Sequence, residues 1–371
     1  MAYTPDPTDS SQPVSGVKAS TAAEEFRALK SYIATLAGLT GSPSFPALTI
    51  SQLNGGQLAG LRNKIINGRF DVWQRGTPVA IGAGLSGYTA DQWRLVNTAG
   101  ISCSASRIST AFGSTDVIGR WYAQFAFSGT GLSGSSVSYR IPCLLETSAR
   151  TLTLSYYAAD SVATSVSLVA RQNFGTGGSP SASVDTVLIP GTVASSFGSK
   201  LSATFTLPSI AGKTLGNNGD EHLEIFFIPA VADAHTFNLA NVQLEYGSTA
   251  TSYEELPLEL IQQNCERVFK AVKGGLSGMV KSAASVQFPL TFSPEMRTAP
   301  TLTAGTTLTT INTSAADGIN PASVSLALSN SGTHGATILS SNFAGLTAGQ
   351  ACTLQAASSS TPPYFFLSAE L

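Results

Sequence analysis

The sequence predicts a mostly β protein: an N-terminal extended segment and short helix, a jelly-roll-like β-sandwich, a connecting helix and a C-terminal β-sandwich. Apolar residues alternate with Ser and Thr in short runs, as at Leu201, Ala203, Phe205 and Leu207. Gly, Asn and Pro recur between the runs, which is typical of antiparallel sheets joined by turns. Charged residues are 11% of the chain, against ~25% in typical soluble domains, so hydroxyl side chains supply much of the polarity.

The composition excludes several classes of protein. The 371 residues carry 20 Lys and Arg against 22 Asp and Glu, a net charge of -2, whereas a nucleic-acid binder needs a basic face. No apolar run is long enough for membrane insertion, and the first residues lack the basic and apolar regions of a secretory signal. A β-rich chain without an export signal favours a protein assembled in a cytoplasm and released by lysis, as a virion component is.

We expect three parts: residues 1–60, residues 61–255 and residues 256–371. Residues 1–20 are rich in Pro, Ser and Asp and should be extended or bound to a partner. Thr21 and Glu24 form a capping box that opens a helix, which Gly38 ends. Its apolar seam is spaced 3-4-3, at Phe26, Leu29, Ile33 and Leu36. Two heptads are too short to be stable alone, so this helix should pack on copies of itself, on another protein or on its own domain.

Residues 63–253 should form one jelly-roll-like sandwich. Apolar faces with period two recur through this region. They comprise Trp121, Ala123, Phe125 and Phe127; Leu152, Leu154 and Tyr156; and Leu223, Ile225 and Phe227. No helical pattern of useful length interrupts them.

A second helix is predicted over residues 257–272. Its apolar positions are spaced 3-4-3-4, at Leu258, Ile261, Cys265, Val268 and Val272. This regularity favours self-association around an axis, although packing against a sheet explains it nearly as well. Strand-like runs return from Ser282 to Leu371, for example at Val286 and Phe288, and predict the C-terminal sandwich.

Aromatic side chains suggest a sugar-binding surface. A sugar presents an apolar C–H face and a rim of hydroxyls, so it needs an exposed ring beside fixed polar groups. The glycan-binding candidates are Trp73, Tyr88, Asp91, Trp93 and Trp121, with Asp71, Gln74 and Arg75 as further polar groups. The competing interpretation places Trp73 and Trp93 in the core, where large aromatics dominate.

The polar candidates also permit other roles. Arg75 and Asp91 would fix the first loop if they simply paired. Asp71 or Asp91 remains open as a ligand of a structural calcium ion, although no cofactor is expected. The four Cys residues lie far apart without a CxxC motif, so we expect buried free thiols rather than a zinc site.

Two blocks carry the most distinctive text: NGRFDVWQRGT at residues 67–77 and YTADQW at residues 88–93. They resemble the opening of the carbohydrate-binding-module-like jelly roll of bacteriophage tail fibre and receptor-binding proteins. NVQLEYGSTATSY at residues 241–253 resembles its closing strand, and LIQQNCERVF at residues 260–269 the helix that follows.

Both ends of the chain extend the resemblance. Phe288-Pro289, MRTAP at residues 296–300 and AEL at residues 369–371 are similar to the terminal domain of such fibres, and residues 6–30 to their particle-attaching N-termini. The resemblance implies a homotrimer in the virion tail, attached through residues 1–40 to a tail or portal-associated protein, that binds host surface polysaccharide.

Catalytic patterns are absent from the sequence. His222, His235 and His334 are far apart, and no Gly-x-Ser-x-Gly elbow occurs. We therefore expect an adhesion protein that is not an enzyme. Two alternatives stay open: a structural virion component, such as a head fibre or tail decoration, and a polysaccharide depolymerase.

Overall fold

The structure is a computed structural model that describes residue 29 and residues 60–110, 119–131, 133–142, 144–162, 164–272, 276–304, 308–313, 325–356 and 365–371. The chain divides into two units, Met1–Leu58 and Ala59–Leu371. In the first unit only Leu29 is described, and it is helical and half-exposed. The other N-terminal seam residues, Phe26, Ile33 and Leu36, and the expected extended segment lie outside the described residues. The boundaries at residues 60 and 255 stay a prediction.

Two six-stranded antiparallel sheets form the N-terminal sandwich. The first sheet has the order β1 (Val79–Ile81), β4 (Ile101–Ser109), β5 (Trp121–Thr130), β12 (Asp233–Tyr246), β7 (Thr151–Asp160) and β10 (Leu201–Thr206). The second sheet has the order β2 (Ser86–Tyr88), β3 (Trp93–Val96), β6 (Ser136–Ile141), β11 (His222–Pro229), β8 (Thr164–Asn173) and β9 (Val184–Val193). A four-residue helix, α1 (Leu144–Thr147), follows β6.

The predicted period of two is confirmed, because alternate residues of each sheet meet in one core. The buried set includes Phe125, Phe127, Leu152, Leu154 and Tyr156 from the first sheet and Leu223, Ile225 and Phe227 from the second. Successive side chains of a strand point to opposite faces, so every inward residue places its neighbours on an outer face.

Trp93 is at the centre of this core. Its ring lies 4.7 Å from the ring of Phe70, 5.1 Å from Tyr139 and 6.2 Å from Phe227. Its indole N–H donates to the carbonyl of Asn67 at 2.9 Å. The side chain is fully buried. Through these contacts it links the opening segment to β6 and β11 of the second sheet.

The connecting helix is shorter than predicted. Helix α2 spans Leu258–Glu266, and Phe269–Val272 form strand β13 instead of a last helical turn. The prediction was wrong there because β13 pairs antiparallel with β21 (Phe365–Ser368), a contact between distant parts of the chain that outweighs the local helical spacing.

The C-terminal part is a second sandwich, as predicted. Its smaller sheet has the order β13, β21 and β16 (Thr301–Ala304). Its larger sheet has the order β17 (Leu308–Thr313), β20 (Ala351–Ala356), β14 (Leu276–Ser282), β15 (Ser285–Thr291), β19 (Gly335–Ser341) and β18 (Ser325–Ser329). Phe288 and Ile338 of the larger sheet share a core with Phe365 and Leu367 of the smaller one.

Three of the four Cys residues are described, and Cys103, Cys265 and Cys352 are buried free thiols as expected. Cys143 lies outside the described residues. Over the described parts of the chain, no helix is long and apolar enough to cross a membrane.

We predict that Trp93→Ala lowers the free energy of unfolding by about 3–5 kcal/mol, because truncating a buried aromatic leaves a cavity. Urea denaturation followed by circular dichroism measures this change. Val187→Ala is the control: its side chain is 73% exposed, and its replacement should change stability by less than about 0.5 kcal/mol. Equal stabilities of the two variants would contradict the central position of Trp93.

Candidate functional site

Two of the predicted sugar-binding rings lie inside the sandwich. Trp93 is 0% and Trp73 is 8% exposed. The indole N–H of Trp73 donates to the carbonyl of Phe70 at 2.8 Å. Neither ring has an open face for a sugar, so the structure places both where the competing interpretation did, among the core residues.

Asp91 is fully buried and already has partners. Its carboxylate accepts hydrogen bonds from the backbone N–H of Gln74 at 3.1 Å and from the Gln74 side-chain amide at 2.7 Å. Arg75 Nη1 lies 3.8 Å from Asp91 Oδ1, which is the loop-fixing pair considered above. Burial raises the pKa of Asp91, while Arg75 and Gln74 act against that rise.

The two candidate calcium ligands, Asp71 and Asp91, each have an arginine neighbour. Among the described residues, no group of three or more His, Cys, Asp and Glu could hold a metal ion. Asp71 lies 3.9 Å from the guanidinium of Arg69, and burial raises its pKa against the effects of Arg69 and Arg107.

The other two predicted rings carry neighbours of their own. The hydroxyl of Tyr88 donates a hydrogen bond to the main-chain oxygen of Leu371 at 2.6 Å. Trp121 is half-buried, and the guanidinium groups of Arg107 and Arg120 lie 4.4 Å and 4.8 Å from its ring centre. The structure therefore does not assemble the five candidates on one open surface.

The seam of the connecting helix is divided between the interior and the surface. Ile261 and Cys265 are buried against Val72, so these two positions pack on the chain's own sandwich. Leu258 is 53% exposed, and Val268 is half-buried beyond the end of the helix. Self-association through this seam would thus rely on Leu258 rather than on the whole pattern.

A cleft of about 470 Å³ lies beside the connecting helix. Its walls are largely apolar and include Ile66, Ile141 and Leu256, and the one carboxylate among the described lining residues is that of Glu146. The cleft is large enough for a small ligand.

The outer face of the first sheet is free of charge over most of its central strands, and we call this part the neutral face. The buried carboxylate of Glu245 lies on the same side of β12, opposite Thr153. The residues of the neutral face alternate with the core residues of β4, β5, β12 and β7. They are Ser102, Ser104, Ser106, Ile108, Tyr122, Gln124, Ala126, Ser128, Thr236, Asn238, Ala240, Thr153, Ser155, Tyr157 and Ala159.

Three partly exposed rings stand on the neutral face. Ala240 pairs with Tyr157 on one side, and the register of Leu239 with Ala123 places Tyr122 on the other. The two tyrosines are two strands apart, so their backbones are separated by ~10 Å. Phe197, from the loop before β10, meets Tyr122 edge to face at 5.2 Å.

Hydroxyl and amide groups surround these rings. Asn238 pairs with Gln124 on β5, and Gln124 pairs with Ser106 on β4, so the three form a polar row across the sheet. The Oδ1 atom of Asn238 is buried and has no hydrogen-bond partner in the part of the chain that the structure describes. The neutral face therefore combines apolar rings with hydrogen-bonding groups that carry no charge.

The outer face of the second sheet is charged. Arg140, Glu224, Arg171 and Asp185 are neighbours along one row of β6, β11, β8 and β9. Arg171 Nε lies 2.7 Å from Asp185 Oδ1, and Arg140 Nε lies 3.1 Å from Glu224 Oε1. Each cation has a carboxylate neighbour, so this row is a ladder of ion pairs.

Glu224 is the buried carboxylate of that ladder. Burial alone would raise its pKa, but the nearby His222 ring, the charge of Arg140 and the hydrogen bond from Ser138 lower the pKa to about 2. Ser138 donates to Glu224 Oε1 at 2.7 Å.

The sequence contained a signal for the neutral face. Leu152, Leu154 and Tyr156 were predicted to share an inward face, which already placed Tyr157 outward. No local pattern identified Phe197 or showed that Tyr122 would be its neighbour.

No protein-family model matches this chain, and no curated protein does. Among solved structures it is similar to the CBM22-1 xylan-binding domain of Xyn10C from Paenibacillus barcinonensis, with 15% identity, a TM-score of 0.29, and 46% of this chain and 99% of that one covered. It is also similar to the family 11 carbohydrate-binding module of Lic26A-Cel5E from Clostridium thermocellum, with 14% identity, a TM-score of 0.29, and 48% and 100% covered.

A third similar structure is the N-terminal cellulose-binding domain of β-1,4-glucanase C from Cellulomonas fimi, with 19% identity, a TM-score of 0.25, and 49% and 95% covered. These neighbours are carbohydrate-binding modules, but TM-scores this low carry no argument about function.

We predict that Glu224 makes stability depend on pH in the acid range. Its pKa is lowered on folding, so its contribution is present above the unfolded value of 4.5 and is lost as the pH falls toward about 2. The lowering corresponds to about 3 kcal/mol at neutral pH. Glu224→Gln should remove most of this dependence in urea unfolding curves recorded between pH 2 and pH 7. An unchanged acid dependence in that variant would contradict the assignment.

Proposed function

We propose that the protein is a non-catalytic adhesin that binds an uncharged glycan on its neutral face. The observation that carries the proposal is the combination of Tyr122, Tyr157 and Phe197 with the row of Ser106, Gln124 and Asn238. Partly exposed rings match the apolar C–H face of a sugar, and amides and hydroxyls match its rim.

The absence of charge on the neutral face favours an uncharged glycan. An acidic sugar would lose water around its carboxylate on binding and would find no cation among the outward residues of these strands to compensate. The arginines in the charged row of the second sheet would not compensate an acidic sugar either, because they are already paired with carboxylates.

A non-enzymatic role is consistent with the arrangement of carboxylates. Glycoside hydrolysis requires two carboxyl groups ~5–9.5 Å apart across the sugar. Among the described residues of the neutral face there is none, and one, Glu146, lines the cleft beside the connecting helix.

The setting we propose is a bacteriophage tail fibre that attaches to the virion through residues 1–40. The support is the sequence resemblance of its opening, closing and terminal blocks. Binding of a single sugar site is typically weak, so a homotrimer would gain avidity from three copies held on one fibre. Assembly would take place in the cytoplasm of the bacterial host.

Tyr157→Ala should weaken glycan binding about tenfold, a loss of about 1.4 kcal/mol, because one stacking ring is removed. Tyr157→Phe should bind as the wild type does, since it keeps the ring. Affinity electrophoresis through gels containing mannan, dextran, xylan or alginate measures the effect, and retardation is expected in at least one uncharged polymer but not in alginate.

Phe226→Ala is the matched control for that experiment. Phe226 is a half-buried aromatic on the outer face of the second sheet, so its loss should leave retardation unchanged. Equal losses in the Phe226 and Tyr157 alanine variants would place binding elsewhere.

The rival functions differ in what the purified protein does to host cells. An adhesin should block phage adsorption when added in excess, whereas a structural virion component should not. A depolymerase should release reducing ends from host surface polysaccharide, and such release would overturn the non-enzymatic proposal.

The proposed trimer predicts three times the chain mass in sedimentation equilibrium. Leu258→Asp should weaken the trimer if this exposed residue is part of the seam, because a charge would be buried on assembly. A monomer at every concentration would refute the homotrimer and leave the glycan proposal standing.

A further inference from the structure

Residues 369–371 join the C-terminal sandwich to the N-terminal one. Glu370 forms an ion pair with Arg75. The main-chain oxygen of Leu371 accepts hydrogen bonds from the hydroxyl of Tyr88 and from the guanidinium of Arg140. These contacts connect both the opening loop and the second sheet of the N-terminal sandwich to the end of β21.

Gln74 makes a second set of contacts between the two sandwiches. Its side-chain amide donates to the carbonyl of Phe269 at 2.7 Å, and its Oε1 atom accepts from the backbone N–H of Ala271 at 3.1 Å. Because Ala271 belongs to β13, its amide proton is protected by a residue of the other sandwich. It can therefore report whether the junction is closed.

Arg297 reinforces the junction from the C-terminal side. Its guanidinium donates to the carbonyls of Ala369 at 2.9 Å and Glu370 at 3.3 Å, and to the carbonyl of Gly219 on the N-terminal sandwich at 3.2 Å. It thus binds main chain rather than either buried carboxylate.

The carboxylates at this junction outnumber the cation that faces them. Asp91 and Glu370 are both buried, and Arg75 contacts both. Glu370 Oε1 and Arg75 Nη1 have no hydrogen-bond partner among the described residues. With both carboxylates ionised, the three side chains carry one uncompensated negative charge out of water, which is unfavourable.

Other titratable groups face this cluster from each neighbouring element. They are Tyr88 and Arg94 from β2 and β3, Arg140 and Glu224 from the second sheet, Cys265 and Glu266 from α2, and Arg297 from the loop before β16.

We propose that Asp91, Glu370 and Arg75 form a proton-dependent latch, in which uptake of one proton by the carboxylate pair tightens the docking of the two sandwiches. The proton removes the uncompensated charge, while Arg75 keeps one ionised partner. Release of the proton leaves two buried carboxylates to share one guanidinium, which favours separation of the junction.

The pKa of Glu370 determines the direction in which the latch depends on pH. Burial, together with the nearby charge of Asp91, raises its pKa to about 7, and Arg75 and the backbone N–H of Gln92 act against that rise. In an open junction its pKa would return to 4.5. The latch is therefore tightest below pH 4.5, weakens as the pH rises toward about 7, and stays weak above it.

Hydrogen exchange of the Ala271 amide in the full-length chain tests the latch. After correction for the intrinsic exchange rate, protection at pH 5 should exceed protection at pH 8 by at least tenfold. Glu370→Gln, which keeps the shape without the charge, should show equal protection at both values. Glu259→Gln changes an exposed residue of α2 and should behave as the wild type does.

Three results would overturn the latch. They are equal protection at both pH values in the wild type, an unchanged pH dependence in Glu370→Gln, and a loss of that dependence in Glu259→Gln. If Glu370→Gln opens the junction at every pH, Asp91→Asn decides: removing the competing carboxylate should lower the pH midpoint, and an unchanged midpoint refutes the proposal.

Discussion

The two six-stranded sheets of the N-terminal sandwich must bury their inward side chains in one shared core. This requirement determines which residues lie on the outer faces of the sheets. Because side chains alternate along a strand, each inward residue commits the next one to the outer face of its sheet. Tyr156 lies in the core and Tyr157 therefore stands on the neutral face. The same constraint takes Trp93 out of reach of a ligand, since its ring fills the space between the sheets.

The two outer faces have different chemistry, although one core produces both. The first sheet presents tyrosines, amides and hydroxyls, and the second presents the ion-pair ladder that includes Arg140 and Glu224. Charges that are paired along a row hold neighbouring strands in register. Because they already compensate each other, they attract a charged ligand only weakly. An uncharged face with partly exposed rings suits an uncharged partner, and this is why we propose glycan binding on the first sheet.

Much of the fold could be predicted from local patterns, and most of the candidate site could not. Alternation at residues 152–156 and 223–227 identified strands and their inward faces correctly. The connecting helix was extended too far because the pairing of Phe269–Val272 with β21 is not visible in local spacing. The position of Trp93 opposite Tyr139 and the meeting of Arg75 with Glu370 depend on which distant strands and segments become neighbours, which one sequence does not specify.

A crystal structure of the protein with an oligosaccharide from a polymer that it binds tests the central claim most directly. Our account predicts a sugar ring in van der Waals contact, within ~4 Å, of Tyr157 or Tyr122, with its hydroxyls near Gln124 and Asn238. A sugar bound instead to the charged row of the second sheet, or in the cleft beside the connecting helix, would contradict it.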